Sequence, residues 1–241
     1  MKNNKVKIVA VVGPTGSGKT RLALALAKEF NGVIISADSR QVYRGLNIGT
    51  NKEPVPQELI DIAEPGERFT LHDWLERAKY TLERIFESSK VPVVVGGTGL
   101  YVTALLEGYQ PGSGRFSKKR RPVPFQSLAI MPQVERSELY RRSDERYERI
   151  FDDLIAETKQ LIDSGVDPDW LVNIGLDYRY AALFITGQRN RELAISEFQQ
   201  ASRAYIRRQL TWWRHHGVVA EVATEQEAKK LVEEFLKVVP K

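Results

Sequence analysis

Gly13-Pro14-Thr15-Gly16-Ser17-Gly18-Lys19-Thr20 decides how the rest of this chain is read. The octet fits G-x-x-x-x-G-K-[ST], the phosphate-binding P-loop. Its flanks agree with it. Residues 6–12 are apolar except for Lys7 and predict a buried strand, and 21–28 alternate Leu and Ala as the helix that follows. Strand, glycine loop and helix set backbone N–H groups and a helix N-terminus around one anion. Lys19 is expected to reach the phosphate oxygens, and the Thr20 hydroxyl to hold Mg²⁺. The motif names a polyphosphate but no reaction, because kinases, NTPases and some transferases share it.

Composition narrows the classes around that loop. A chain of 241 residues, 42% hydrophobic with four Trp, suffices for one large α/β domain. The absence of Cys excludes disulfides and thiolate metal sites, and His72, His215 and His216 are too few to suggest a zinc centre. Lys and Arg exceed Asp and Glu by 36 to 31, with a pI near 9.3, a balance that permits an anionic partner. No run is long and apolar enough to span a membrane. Met1 to Lys5 lead straight into the first strand, so the expectation is a cytoplasmic enzyme without a signal peptide.

Outward from the P-loop, Val33-Ile34-Ile35 predicts a second buried strand running into Ser36-Ala37-Asp38-Ser39-Arg40-Gln41-Val42-Tyr43. Residues 44–68 carry Gly, Pro and charge and read as a long functional loop. Residues 69–89 form an amphipathic helix, and 91–95 a third buried strand ending in Gly96-Gly97-Thr98-Gly99 before a short helix at 100–106. A stretch without periodicity follows at 110–122. Further on, a strand is expected at 127–131, helices at 137–164, 176–186 and 192–214, and a closing strand and helix at 218–222 and 225–239. The alternation predicts a P-loop NTPase-like three-layer α/β fold with a parallel sheet and C-terminal helices.

In such sheets ligands sit beyond the carboxyl ends of the strands. Three loops therefore converge: 13–20 for phosphate, 36–43 with the Asp38 carboxylate, and 96–99 with the Thr98 hydroxyl. Asp38 reads as a Walker-B-like Mg²⁺ ligand, as a general base or substrate-orienting group, or as a turn residue. Thr98 reads equally as structural or functional, and the glycines beside it as room for a substrate to approach the backbone. On the helix at 192–214, Arg203, Arg207 and Arg214 fall within about 40° of one another at 100° per residue. That face is either a solvated basic surface or a phosphate-contacting stripe. Trp212-Trp213 reads as core plus boundary, with base stacking as the functional alternative.

Taken in order, the P-loop, 36–43, Gly45-Leu46-Asn47-Ile48-Gly49-Thr50, Leu59-Ile60-Asp61-Ile62 and Gly96-Gly97-Thr98-Gly99-Leu100-Tyr101 closely resemble the tRNA dimethylallyltransferases. Residues 203–212 look like that family's C-terminal signature, and Asp177-Tyr178-Arg179 like a shorter Tyr-Arg element before it. The resemblance implies transfer of a dimethylallyl group from dimethylallyl pyrophosphate to the exocyclic amine of an adenine beside a tRNA anticodon. It implies that the P-loop grips a pyrophosphate leaving group with Mg²⁺ on Thr20. Asp38 would orient the amine and take its proton, and Ser39, Arg40 and Gln41 would contact the flipped-out nucleotide. Thr98 would line the channel, Arg179 add positive charge near the pyrophosphate, and Arg203 and Arg207 contact tRNA.

Two departures stand out. Gln57-Glu58 replaces the family's usual His pair, and the family's helical insertion, which reaches over the anticodon stem-loop, is missing. Pro111-Gly112-Ser113-Gly114 stands in its place, and Gly112-Ser113-Gly114 has the composition of an engineered linker. The expectation is one monomeric transferase core over 1–241 with the join at 111–115 and weakened tRNA binding. The alternatives are an adenine-nucleotide prenyltransferase of the cytokinin-forming kind, a P-loop small-molecule kinase, and a binding-only core that lost activity with the insertion.

Overall fold

A computed structural model describes residues 6–109, 122–216 and 219–237. Five strands, β1 (Val6–Val12), β2 (Gly32–Ser36), β3 (Val91–Gly96), β4 (Phe125–Pro132) and β5 (Val219–Val222), form one all-parallel sheet in the order β2-β3-β1-β4-β5. A parallel sheet is buried on both faces, which is why its strands read as continuous apolar runs. Successive side chains still go to opposite sides. Ile8, Ala10 and Val12 join Ile35 and Val94 in the larger core, while Val9 and Val11 join Ile34, Val93 and Val95 in the smaller one.

Helices α1 (Lys19–Glu29) and α8 (Glu225–Lys237) close the smaller core with Leu22, Leu26, Ala228 and Val232. The other face carries α2 (Leu71–Glu87), α3 (Gly99–Leu106), α4 (Arg136–Asp163), α5 (Pro168–Ile174), α6 (Leu176–Ile185) and α7 (Arg191–His215). Among these, Tyr147 of α4 stacks on Phe198 of α7 with ring centroids 3.5 Å apart. The expected three-layer α/β architecture with its parallel sheet is thus present. No helix of the described residues is long and apolar enough to cross a membrane.

The differences from the sequence reading are local. β4 is eight residues long and extends past the expected 127–131 at both ends. α5 went unread because its seven residues are too few for a periodicity, although Asp167 caps it by accepting the Asp169 N–H (2.9 Å) and Pro168 opens it. The 44–68 stretch lacks helix and extended strand but is packed, with Leu46 and Leu59 buried and single bridges pairing Ile35 with Glu58 and Tyr43 with Ala63. Lys52 pins it from inside, donating to the Tyr43 carbonyl (2.7 Å) and pairing with Asp61 (2.6 Å). Residues 111–115, the expected join, lie outside the described residues.

One buried bond ties α2 to the carboxyl end of β2. The Trp74 indole N–H donates to the Ser36 carbonyl (3.1 Å), and Trp74 is fully buried. Trp74→Phe keeps most of the packing but leaves that carbonyl unpaired away from water, a loss of about 1–3 kcal/mol. Urea unfolding is expected to show a lower midpoint with an unchanged slope; a wild-type midpoint would contradict the assigned role of this bond.

Candidate active site

The carboxyl ends of β1, β2 and β3 open into one cleft of about 760 Å³. The P-loop forms its floor. Gly13 (φ 141°) and Gly18 (φ 82°) take the left-handed side of the backbone map that other residues avoid, and Gly18 starts α1 in that conformation. No acidic side chain occupies the first turn of α1 and no side chain caps it. Among the described residues, no acceptor meets the N–H groups of Gly16, Gly18, Lys19 or Thr20. Four unpaired donors at the positive end of a helix form an anion cradle.

The loop is held from two sides. Arg142 of α4 donates to the Gly16 carbonyl (3.1 Å), and Gln209 of α7 accepts the Thr15 N–H (3.1 Å). The Lys19 ammonium folds back to the Pro14 carbonyl (3.3 Å). Burial holds the Lys19 amine below its ordinary value, while the Asp38 carboxylate pulls it back up and Arg146 pushes it down.

Asp38 lies on the same cleft, beyond the end of β2. Its Oδ1 accepts the Arg40 N–H (2.8 Å), which fixes the carboxylate through its own turn. No donor among the described residues reaches its second oxygen. Thr98 faces the Asp38 loop, its Oγ1 accepting a long bond from the Ser39 N–H (3.5 Å). Ser39, Arg40 and Gln41 also line the cleft. The Gln41 side chain is engaged at both ends: its Oε1 accepts the Ser36 hydroxyl (2.6 Å), and its Nε2 donates to the Thr50 carbonyl (3.0 Å). It thereby joins the 36–43 turn to the 46–50 loop.

The reading of the Gly96-Gly97-Thr98-Gly99 glycines as space for a substrate is corrected by the packing. A Cβ on Gly96 would sit 2.3 Å from the Ala37 carbonyl oxygen, on Gly97 2.7 Å from Gln209 Nε2, and on Gly99 2.2 Å from the Trp212 ring. Protein fills all three places. Trp212 donates from its indole nitrogen to Thr103 Oγ1 (3.1 Å) and stacks on His216, while Trp213 is buried in the core. Neither ring lines the cleft.

The remaining walls were not anticipated from sequence. Arg142, Arg146 and Arg149 come from one face of α4, at spacings of four and three residues, and Tyr205 and Arg208 come from α7. Arg146 donates to the Ile48 and Gly49 carbonyls (2.8 and 3.1 Å) and pairs with Asp177 (3.0 Å), whose carboxyl is raised by burial against the pull of Arg146. Arg179 lines the cleft with its Nε donating to the Val172 carbonyl (2.8 Å). Arg203 and Arg207 are outside the cleft lining. Arg203 pairs with Asp144 (2.5 Å), and Arg207 reaches the Tyr140 hydroxyl (3.5 Å). Gln57 lines the cleft edge, whereas the Glu58 side chain turns to Arg84 (3.3 Å).

No cluster of three or more His, Cys, Asp or Glu suited to a metal gathers among the described residues. Mg²⁺ does not need one, because it is commonly held by one or two protein oxygens and completes its shell with phosphate and water. The Thr20 hydroxyl, on the cleft beside the unpaired amides, fits that pattern.

Comparison with known proteins bears on the family and the fold. The IPP transferase family model matches residues 41–121 and 110–216, and the isopentenyl transferase model matches 6–64. The tRNA dimethylallyltransferase of Streptococcus pneumoniae (strain ATCC BAA-255 / R6) is 32% identical over 293 positions, covering 96% of this chain and 99% of that protein. Since this chain has 241 residues, at least 52 of those positions (293 less 241) have no counterpart here. The full-length tRNA isopentenylpyrophosphate transferase of Bacillus halodurans superposes with a TM-score of 0.84 at 30% identity, over 96% of each chain. The tRNA delta(2)-isopentenylpyrophosphate transferase of Staphylococcus epidermidis gives 0.83 at 25% identity, over 96% of this chain and 99% of that one.

The depressed Lys19 amine sets a pH signature for anion binding. A bound polyphosphate favours the ammonium and raises the amine toward its ordinary value. Between the free and bound values, binding takes up a proton, so affinity falls as pH rises through that interval. Calorimetry of inorganic pyrophosphate in buffers of different ionisation enthalpy is expected to show more proton uptake for the wild type than for Lys19→Ala, which also binds more weakly. Equal uptake by the two proteins would contradict this account of Lys19.

Proposed function

Because the chain belongs to the tRNA dimethylallyltransferase (IPP transferase) family, we propose that it transfers a dimethylallyl group from dimethylallyl pyrophosphate to the N6 amine of an adenine next to a tRNA anticodon. The single observation that carries this reading is the shared cleft: a donor-rich anion cradle and a carboxylate with one uncommitted oxygen open onto the same space.

The chemistry follows from that pairing. An adenine amine is a weak nucleophile, so the allylic carbon must be made a good electrophile. The P-loop N–H groups and the Lys19 ammonium stabilise the negative charge that grows on the bridging oxygen as the carbon–oxygen bond breaks. Mg²⁺ held by Thr20 would add charge neutralisation on the departing pyrophosphate. The amine nitrogen forms its bond to the allylic carbon, the bonding pair leaves with pyrophosphate, and Asp38 accepts the amine proton. Arg142, fixed to the Gly16 carbonyl, keeps positive charge beside the same loop. Thr98 orients the Asp38 turn through Ser39. Arg40 and Gln41 would contact the flipped-out nucleotide, and Arg179 adds positive charge to the same cleft.

The missing positions bear on the acceptor. Both stretches that match the IPP transferase model meet at 110–121, which supports placing the lost insertion at the 111–115 join. Without that lobe, tRNA binding is weaker but still salt-sensitive, resting on cleft residues and on the outer Arg203 and Arg207 face. The same absence favours a second reading, an adenine-nucleotide prenyltransferase, whose acceptor needs no anticodon-binding lobe. A cytoplasmic, monomeric enzyme remains the expectation under either reading.

Incubation with Mg²⁺, dimethylallyl pyrophosphate and either an anticodon stem-loop RNA or AMP, read by mass spectrometry, tests the proposal. A prenylated RNA is expected. A product from AMP alone would replace the first reading by the second, and no product from either would overturn both. Asp38→Asn is expected to keep donor affinity and lose about 10²–10⁴-fold in transfer rate, since an amide takes no proton. Full activity in that variant would remove Asp38 as the base.

A further inference from the structure

Gln209 is buried, and its carboxamide is the one side-chain group that bonds both to the P-loop and to the Gly96–Gly99 loop among the described residues. Its Oε1 accepts the Thr15 N–H (3.1 Å), and its Nε2 donates to the Gly97 carbonyl (3.0 Å). Each end of the amide is therefore bonded to backbone. Gly97 approaches so closely that a methyl there would lie 2.7 Å from Gln209 Nε2, and 3.5 Å from Lys19 Cε. The amide, the second loop and the Lys19 stem share one crowded point.

We propose that Gln209 is a positioning residue that sets the shape of the anion cradle and locks it to the loop bearing Thr98, an inference that rests on the prenyl-transfer reading above. The Thr15 N–H is the amide of the loop that is turned away onto a side chain. The N–H groups of Gly16, Gly18, Lys19 and Thr20 stay unpaired. Fixing Thr15 outward leaves the following amides facing the anion, in the manner of a pre-organised site that needs no rearrangement on binding. One turn further along α7, Trp212 grips Gly99 and Thr103. Gln209 and Trp212 thus lie on one face of α7 and hold the second loop at two points, three residues apart. Through Gly97, a shift of the cradle is passed to Thr98 and so to the Ser39 N–H beside Asp38. Donor site and proton acceptor are coupled by one amide.

Gln209→Met preserves length and bulk but neither accepts from Thr15 nor donates to Gly97. Mg²⁺-bound pyrophosphate and dimethylallyl pyrophosphate, titrated by calorimetry, are expected to bind about 5–100-fold more weakly, the worth of a buried hydrogen bond or two. Amide hydrogen exchange is expected to accelerate at Thr15 while β1 stays protected, a local change that a packing role would not produce. Wild-type affinity in Gln209→Met overturns the proposal. If that variant fails to fold, Gly97→Ala decides: its methyl pushes the Gln209 amide off from the opposite side and is expected to weaken donor binding in the same way, whereas wild-type affinity there overturns the proposal. Failure of the wild-type protein to bind pyrophosphate would overturn the prenyl-transfer reading on which the proposal rests.

Discussion

The parallel register of β2, β3 and β1 is the constraint on which the rest of this structure depends. Val12 pairs with Gly96 and Ser36 with Val95, so the three strands finish level with one another at their carboxyl ends. The Ala37 N–H extends the ladder by one rung to the Val95 carbonyl (2.7 Å), and Gly96 lets the Ala37 backbone lie directly against it. A slip of one residue would reverse every side chain between the two cores. It would also carry Asp38 or Thr98 away from the P-loop. The chemistry is thus positioned by the least polar part of the molecule.

A second layer of helices then fixes what the strands bring together. α4 reaches the P-loop through Arg142 and the 46–50 loop through Arg146, with Glu157 accepting the Asn47 and Ile48 N–H groups. α7 reaches the P-loop through Gln209 and the glycine loop through Trp212. Several of the polar residues around the cleft therefore bind protein backbone rather than facing it idle. Their bonds hold in place the few groups left uncommitted: the cradle amides and one Asp38 oxygen.

What was legible in the sequence follows the range of the interactions involved. The P-loop, Asp38 and Thr98 were legible because each is set by contiguous residues at the end of an apolar run, and the sheet rule places all three on one edge. The far walls were not. Arg142, Arg146 and Arg149 sit in a stretch of mixed charge whose spacing shows a common face, but spacing alone does not say which face turns inward. On α7 the same limit operates in reverse: Arg203, Arg207 and Arg214 share a face, yet the cleft lies on that of Arg208, about 100–140° away. The glycines of 96–99 were read as room for substrate because the side chains that fill that room, Gln209 and Trp212, are more than 100 residues distant.

A crystal structure with Mg²⁺, a non-hydrolysable thio-analogue of dimethylallyl pyrophosphate and a short adenosine-containing RNA tests the central claim most directly. The account predicts pyrophosphate oxygens on the amides of Gly16, Gly18, Lys19 and Thr20, with the adenine amine within hydrogen-bond distance of Asp38 and facing the allylic carbon. Pyrophosphate bound away from the P-loop, or an adenine seated out of reach of Asp38, would contradict it.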